Sequence, residues 1–299
     1  MAVVNQINIP PVLVTGADGP GRPRRRRPTP RRGRAGPRPH PSLRGGGDAA
    51  GEGRRLHRRP HRARDTRPGI EWRRCGVFLV WTAPPQTAAA VVERLAAHVR
   101  RVVFLSSPHQ TPHPFFQQPN PIAVLHADIE RLIAATGLES TIIRPGMLAS
   151  NSLAWWAPAI RAGEAVRWPY GAAETAPVDD RDIAAVAART LHQDGYTGGD
   201  YVLTGPESLT QAAQIGVIGD ALGRQIPFEE MTPDEFRNLS QGTAPSSVVD
   251  MLLAAWSAAV GQPAYITTAV ADILGTAPRT FRQWAADHAA AFTEGSQGS

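Results

Sequence analysis

The sequence predicts an α/β chain built on a doubly wound parallel sheet, and three observations predict it. Short apolar runs stop at glycine, serine or proline; segments of helical period lie between them; and the first run ends in a glycine turn. A parallel strand buried on both faces reads as a continuous apolar run, and alternation with helices is the pattern of a parallel sheet.

Residues 11–15 (Pro-Val-Leu-Val-Thr) are the first such run, followed by Gly16-Ala17-Asp18-Gly19. Residues 77–81 are the next strand. Residues 86–98 form a helix with Ala90, Val91, Leu95 and Ala96 on one face, and 101–105 a strand ending at Ser106-Ser107. After a proline-rich loop, 123–136 read as a helix closed by Gly137. Residues 141–143 are a strand stopped by Pro145-Gly146, and 153–162 a helix. A helix over 180–192 opens on an aspartate, where a carboxylate caps free N–H groups. A strand over 200–203, a helix over 211–222 ended by Gly223, and a short strand over 226–229 come next. Helices over 233–239, 246–260, 267–274 and 279–292 make a small helical C-terminal part.

One block does not fit this alternation. All 32 basic residues are arginine, and nineteen of them lie between Arg22 and Arg74 against four acids, a local charge of +15. The remaining 13 arginines face 22 acids, so the rest of the chain is mildly acidic at −9. Between Pro20 and Gly69 there are nine prolines and nine glycines, and the aliphatic side chains are almost limited to Leu43 and Leu56. Too little apolar surface is available there to offset the entropy of ordering, so disorder is expected. The division read from sequence is 1–19 and 76–204 as one domain, 20–75 as a disordered insert, and 205–299 as a mainly helical substrate or packing region.

The charge of the block would attract phosphates, but aromatic interleaving is absent apart from Trp72, so no specific nucleic-acid partner is expected. Cys75 is the single cysteine, which excludes an intrachain disulfide. No apolar run has the length of a membrane span, and no secretory signal pattern opens the chain, so a cytoplasmic location is expected.

The strand followed by Thr15-Gly16-Ala17-Asp18-Gly19 is a partial phosphate-binding turn. Glycines let the backbone approach a pyrophosphate, and a following helix N-terminus favours the anion. Other features agree in order: the strand from Val77 running out at Thr82-Ala83-Pro84-Pro85, Ser106-Ser107, His126-x-x-x-Glu130, Thr141-Ile-Ile-Arg-Pro-Gly146, Asp179-Asp180-Arg-Asp-Ile183 and Leu203-Thr-Gly-Pro-Glu207. Together they resemble the NmrA-like, atypical short-chain dehydrogenase/reductase family of NAD(P)-binding proteins. The resemblance covers the chain to Gly19 and most of Val77 to Phe292.

It implies a Rossmann-like fold and an NAD(P)H-dependent oxidoreductase, most readily reducing a small apolar or quinone-like compound. An alternative is a redox-sensing regulator that binds NAD(P) without turnover. By the resemblance Thr15, Gly16, Ala17 and Gly19 face the pyrophosphate. Thr82, Ala83 and Pro84 pass the adenine-side ribose, and Ser106, Pro145, Gly146 and Met147 lie beside the nicotinamide. Ser107, His126 and Glu130 take the places of the family's catalytic Ser and Tyr-x-x-x-Lys. Residues i and i+4 share a helix face, so His126 and Glu130 can interact, and a histidine can move a proton near neutral pH. The other reading of His126 is a wall of the nicotinamide pocket. No third ligand accompanies the pair, so no metal site is expected.

The chain departs from the family where a third glycine should follow Gly19: it has Arg22. The first helix, second strand, second helix and third strand are also missing, in a gap of about the length they need. Back-translation with arginine as CGN, shifted by one base from Pro20, permits RVGRAVVDQLLAAGVPVRALTR, which restores the glycine, an amphipathic helix and a strand. Residues 58–75 in that frame permit GDLTEPETLDPALNGVDA, which runs into the strand at Val77 after a second slip near Gly76. Two compensating frame slips, and so a chain that has lost its function, are therefore among the expectations. The residue that selects NAD or NADP follows the missing second strand; the restored string ends in an arginine that slightly favours NADP. Trp155, Trp156, Trp168 and Tyr170 offer either a substrate pocket or core packing. The helices from Ser246, with Trp256 and Trp284, offer a packing face or a homodimer face.

Overall fold

The computed structural model describes the backbone of Val14–Gly16 and residues 76–293. The insert 20–75 and the turn residues Ala17 and Gly19 lie outside the described residues.

The main sheet has five strands: β1 (Val14–Gly16), β2 (Gly76–Val80), β3 (Arg101–Leu105), β4 (Glu139–Pro145) and, fifth in order, Asp200–Leu203. The last four are parallel neighbours in chain order, with Val80 beside Leu105, Leu105 beside Ile143 and Pro145 beside Leu203. Connections are made by α1 (Ala88–His98), α2 (Pro121–Ala134), α3 (Asn151–Ala162) and α4 (Asp180–His192). Two short strands, β5 (Val166–Trp168) and β6 (Glu174–Thr175), precede α4, so Asp200–Leu203 is β7.

β3 shows why the sheet is central. Val102, Val103 and Phe104 are fully buried. Val102 and Phe104 pack with Ile129 and Ile133 of α2 and Val92 of α1 on one face. Val103 and Leu105 pack with Ile183, Val186 and Leu191 of α4 on the other. The period of two along the strand therefore feeds two helix layers.

β1 corrects an expectation. It pairs antiparallel with β2, Val14 beside Phe78 and Gly16 beside Gly76. A parallel neighbour needs a crossover of a dozen or more residues, usually a helix. Between Gly16 and Gly76 the sequence has few aliphatic residues with which such a helix could cover the sheet.

Past β7 the chain forms β8 (Leu209–Thr210), α5 (Gln211–Ala221), β9 (Phe228–Glu230), α6 (Pro233–Ser240), α7 (Ser246–Ala259), α8 (Ala269–Leu274) and α9 (Phe281–Asp287). The expected division at residue 204/205 does not separate two cores. Trp156, Ile160 and Trp168, from α3 and β5, pack with Ile215, Phe236, Trp256 and Trp284 in one apolar cluster. In return Val270 and Ile273 of α8 pack on the sheet core beside α4. Trp155, Trp168 and Trp256 lie with ring centroids 5.4–5.5 Å apart, so the tryptophans are core residues. Tyr170 takes φ +55°, a conformation uncommon for a bulky residue. Gln211 fixes it: its amide donates to the carbonyls of Pro169 and Tyr170 and accepts from Trp168 Nε1 at 2.8 Å.

Helix starts follow local chemistry. Asn120 accepts from the N–H groups of Ile122 and Ala123, with Pro121 at the first helical position, so α2 begins before residue 123. Thr232 with Glu235 and Thr280 with Gln283 form reciprocal capping boxes.

Trp256 is fully buried at the centre of the tryptophan cluster. Trp256→Ala is expected to cost about 3–5 kcal/mol and lower Tm by roughly 10 °C, measured by urea and thermal denaturation. A loss below about 1 kcal/mol would show that this cluster does not carry the C-terminal core.

Candidate active site

A cavity of about 160 Å³ opens at the C-terminal ends of β2, β3 and β4. Ligands of open α/β sheets bind at this edge. Val80 and Trp81 end β2, Leu105 to Ser107 end β3, and Pro145 to Met147 end β4; α7 closes the far wall with Met251, Leu252 and Ala255. The proline-rich loop after β3 adds Phe115 and Phe116. The lining is mostly apolar, and its two titratable side chains are His109 and His126.

The sheet edge is held by Arg144. This arginine, 3% exposed, is the one charge in the apolar run of β4. Its Nη1 and Nη2 donate to the two carboxylate oxygens of Glu130 on α2, at 2.7 and 2.9 Å. Its Nε and Nη2 donate to the carboxylate of Asp200 on β7, at 2.6 and 2.8 Å. Nη1 also donates to the carbonyl of Ser107 at 2.9 Å and to Ser106 Oγ at 3.2 Å. Ser106 Oγ in turn donates to Glu130. Burial opposes the arginine's charge, yet the hydrogen bonds it donates to Asp200 and Glu130 outweigh it and raise its pKa above the ordinary value.

This network corrects the expected pairing of His126 with Glu130. Glu130 is occupied by Arg144 and Ser106, and Nδ1 of His126 is buried without a hydrogen-bond partner. The ring stands edge-on to Phe104 at 5.6 Å. Burial lowers the His126 pKa to about 4; His109 and Arg144 push the same way against the pull of Glu130. At neutral pH the imidazole is uncharged. Trp81 Nε1, on the same cavity wall, is also buried without a partner.

The other expected site residues separate into two groups. Ser106, Ser107, His126, Pro145, Gly146 and Met147 line the cavity together. Thr82, Ala83 and Pro84 follow β2 at the same sheet edge but do not line it. Thr15 and Gly16 lie elsewhere: Gly16 pairs with Gly76 at the opposite end of β2, about 13 Å along the strand from Val80. Trp155, Trp156, Trp168 and Tyr170 do not contribute to the cavity. Arg144, His109 and the Phe115–Phe116 pair were not foreseen. Of these only Arg144 carried a signal, a lone charge within a buried strand, which demands counter-charges.

Among the described residues no group of three or more His, Cys, Asp or Glu is placed to hold a metal ion. Among them also, no helix is long and apolar enough to cross a membrane.

Comparison with known proteins agrees with this geometry. No family model matches the sequence. A (4-alkanoyl-5-oxo-2,5-dihydrofuran-3-yl)methyl phosphate reductase of Streptomyces griseus is 34% identical over 222 residues, 72% of this chain and 76% of the relative. An NAD(P)H azoreductase of Xenophilus azovorans is 30% identical over 54% of the chain, and the match spans 57% of that protein's length. The NADPH-dependent quinone oxidoreductase of Escherichia coli, solved with NADPH, superposes with a TM-score of 0.59 at 21% identity, over 73% of this chain and 76% of that one. The chain belongs to the NmrA-like, atypical short-chain dehydrogenase/reductase family of NAD(P)-binding oxidoreductases.

Two outcomes follow from the network. Arg144→Met leaves the Glu130 carboxylate without its partner and is expected to cost about 3–5 kcal/mol in denaturant unfolding, with Arg144→Lys intermediate. His126 gives a pH signature. Its folded pKa is about 4 against 6.5 unfolded, so the unfolded state binds more protons between those values and stability falls as pH drops through that window. The loss is on the order of 3 kcal/mol by pH 4. The difference in unfolding free energy between wild type and His126→Met, followed from pH 7 to 4, should carry that slope; a flat difference would refute it.

Proposed function

We propose that this fold performs NAD(P)H-dependent reduction of a small, uncharged, quinone-like compound, with NADP slightly favoured over NAD. The carrying observation is the apolar cavity at the C-terminal ends of three parallel strands, closed on its far side by α7. Relatives named as azo and quinone reductases support the reaction class. No arginine lines the cavity among the described residues, which supports an uncharged substrate.

The bound cofactor supplies the hydride. In this reading Ser106 and Pro145, Gly146 and Met147 flank the nicotinamide, and Thr82, Ala83 and Pro84 pass the adenine-side ribose. The hydroxyls of Ser106 and Ser107 and the amides of Gln118, Asn120 and Asn151 give the cavity its polar groups, which suit a ligand with a polar edge. Ser107 handles the proton, with His109 Nδ1 at 3.4 Å from its hydroxyl. His126 is an uncharged wall, and Glu130 acts only through Arg144.

A second reading rests on β1. Gly16 pairs at the opposite end of β2 from this cavity, which does not support a pyrophosphate cradle at Thr15 and Gly16 beside it; Ala17 and Gly19 lie outside the described residues. We infer that residues 20–75 arose by two compensating frame slips and that cofactor affinity is weakened in the chain as written. Its support is the +15 charge of that block and a relative matched over 72% of the chain, which leaves about a quarter unaligned. Sensing of NAD(P) without turnover is the third reading, favoured by the absence of a His126–Glu130 pair.

Sequencing the coding DNA across residues 20–75 tests the frame. The chain as written and a frame-restored version are then compared with NADPH and menadione. Restoration is expected to raise the Tm by the equivalent of about 2.7 kcal/mol at a hundred times Kd and to give NADPH oxidation. Ser107→Ala in that version is expected to lower kcat by about 10²-fold. Binding without turnover would favour the sensor, and no binding in the restored chain would overturn the reductase reading.

A further inference from the structure

Phe115 and Phe116 stand edge to face, 5.0 Å apart, on a single turn of 3₁₀ helix, Pro114–Phe116. They line the main cavity and also a smaller one behind it, which His113, Glu174, Thr204 and Tyr265 complete. The pair, with Gly146 and Met147, thus forms the partition between the two spaces.

The residue that fixes this turn is His113. Its Nδ1 accepts from the backbone N–H of Phe115 at 3.2 Å, capping the turn. Its Nε2 lies 3.0 Å from the carbonyl of Pro263, which can only accept. Both bonds hold together in one state alone, the uncharged imidazole with its hydrogen on Nε2. That state joins the turn to the segment Pro263–Tyr265, where the Tyr265 ring lies 6.3 Å from the imidazole and 6.5 Å from Phe116. The carboxylate that shares the small cavity, Glu174, is engaged by Ser208 Oγ.

We propose that His113 is a positioning residue: its uncharged Nε2–H form latches the Phe115–Phe116 partition and sets the depth of the substrate cavity. Without the imidazole the Phe115 N–H loses its acceptor and the turn its tie to the Pro263 carbonyl. The substrate part of this inference rests on the reductase reading; the latch itself does not.

The test is hydrogen exchange of residues 111–118 in the full chain at neutral pH, corrected for intrinsic rates. Menadione binding is measured in parallel by equilibrium dialysis. Wild type should protect this segment about tenfold better than His113→Ala. His113→Ala should also bind menadione more weakly. His113→Asn, whose amide oxygen can retain the cap, should restore the protection. Equal protection in wild type and His113→Ala overturns the latch. The protection pattern without any menadione binding leaves the latch standing and overturns the assignment of the cavity to a quinone-like substrate.

Discussion

The buried guanidinium of Arg144 is the constraint on which the site depends. Removing a cation from water is costly, and only a complete set of partners recovers that cost. Arg144 has them: two carboxylates, a hydroxyl and a carbonyl, drawn from α2, β7 and the end of β3. Lysine, with one point charge on a flexible stem, cannot reproduce a planar fork that meets two carboxylates in two directions. The consequence reaches the cavity directly. Ser106 and Ser107 belong to a loop start that would otherwise be free to move, and the arginine fixes both. Glu130 is thereby a structural counter-charge, held on both carboxylate oxygens by the guanidinium.

A second constraint joins the cavity's far wall to the sheet. α7 supplies that wall, and α7 is held by Trp256 within the tryptophan cluster. The cluster also receives Trp156 and Trp168 from the segment between β4 and α4, so neither part has a closed core alone. Arg279 ties the end of the chain to the same unit. Its backbone N–H donates to Asp182 at 2.7 Å and its Nε to Asp179 at 2.6 Å, the residue that caps α4. The capping role expected for these aspartates therefore has a second part, the docking of α9. A substrate wall built this way is rigid at its base, and its adjustable part is the loop after β3, where single hydrogen bonds replace packed side chains.

The sequence was most informative where structure is decided locally. β3, β7 and α4 have the bounds that periodicity and caps predict. β5 and β9 were missed or misplaced because three-residue strands are defined by their pairing, Val166 beside Phe228, across more than sixty residues. The start of α2 was set too late, although Asn120 and Pro121 form a readable cap, because neighbouring prolines made the whole stretch look like loop. In the site, Ser106, Ser107, Pro145, Gly146 and Met147 were legible as strand ends. The partners of Glu130 were not, since no spacing rule connects a helix position to arginines on a distant strand. His113 gave no signal at all: its role depends on a carbonyl 150 residues away.

The remaining question is why a cavity so completely built coexists with a displaced glycine strand. A dinucleotide site in this fold straddles two half-sheets, with the nicotinamide end on one and the phosphates on the other. Strands β2, β3, β4 and β7 with their helices build two cores, and the pairing of β1 adds three residues at the sheet margin. The residues that line the cavity all follow Gly76. A phosphate-gripping half of this fold needs a helix and a second strand, and the sequence from Pro20 to Cys75 has few aliphatic residues with which to build them. Under the proposed loss of reading frame over that block, the two capacities would separate: the cofactor's phosphate anchor would go, while the cavity, the Arg144 network behind its serines and its aromatic wall, all encoded after Gly76, would stay.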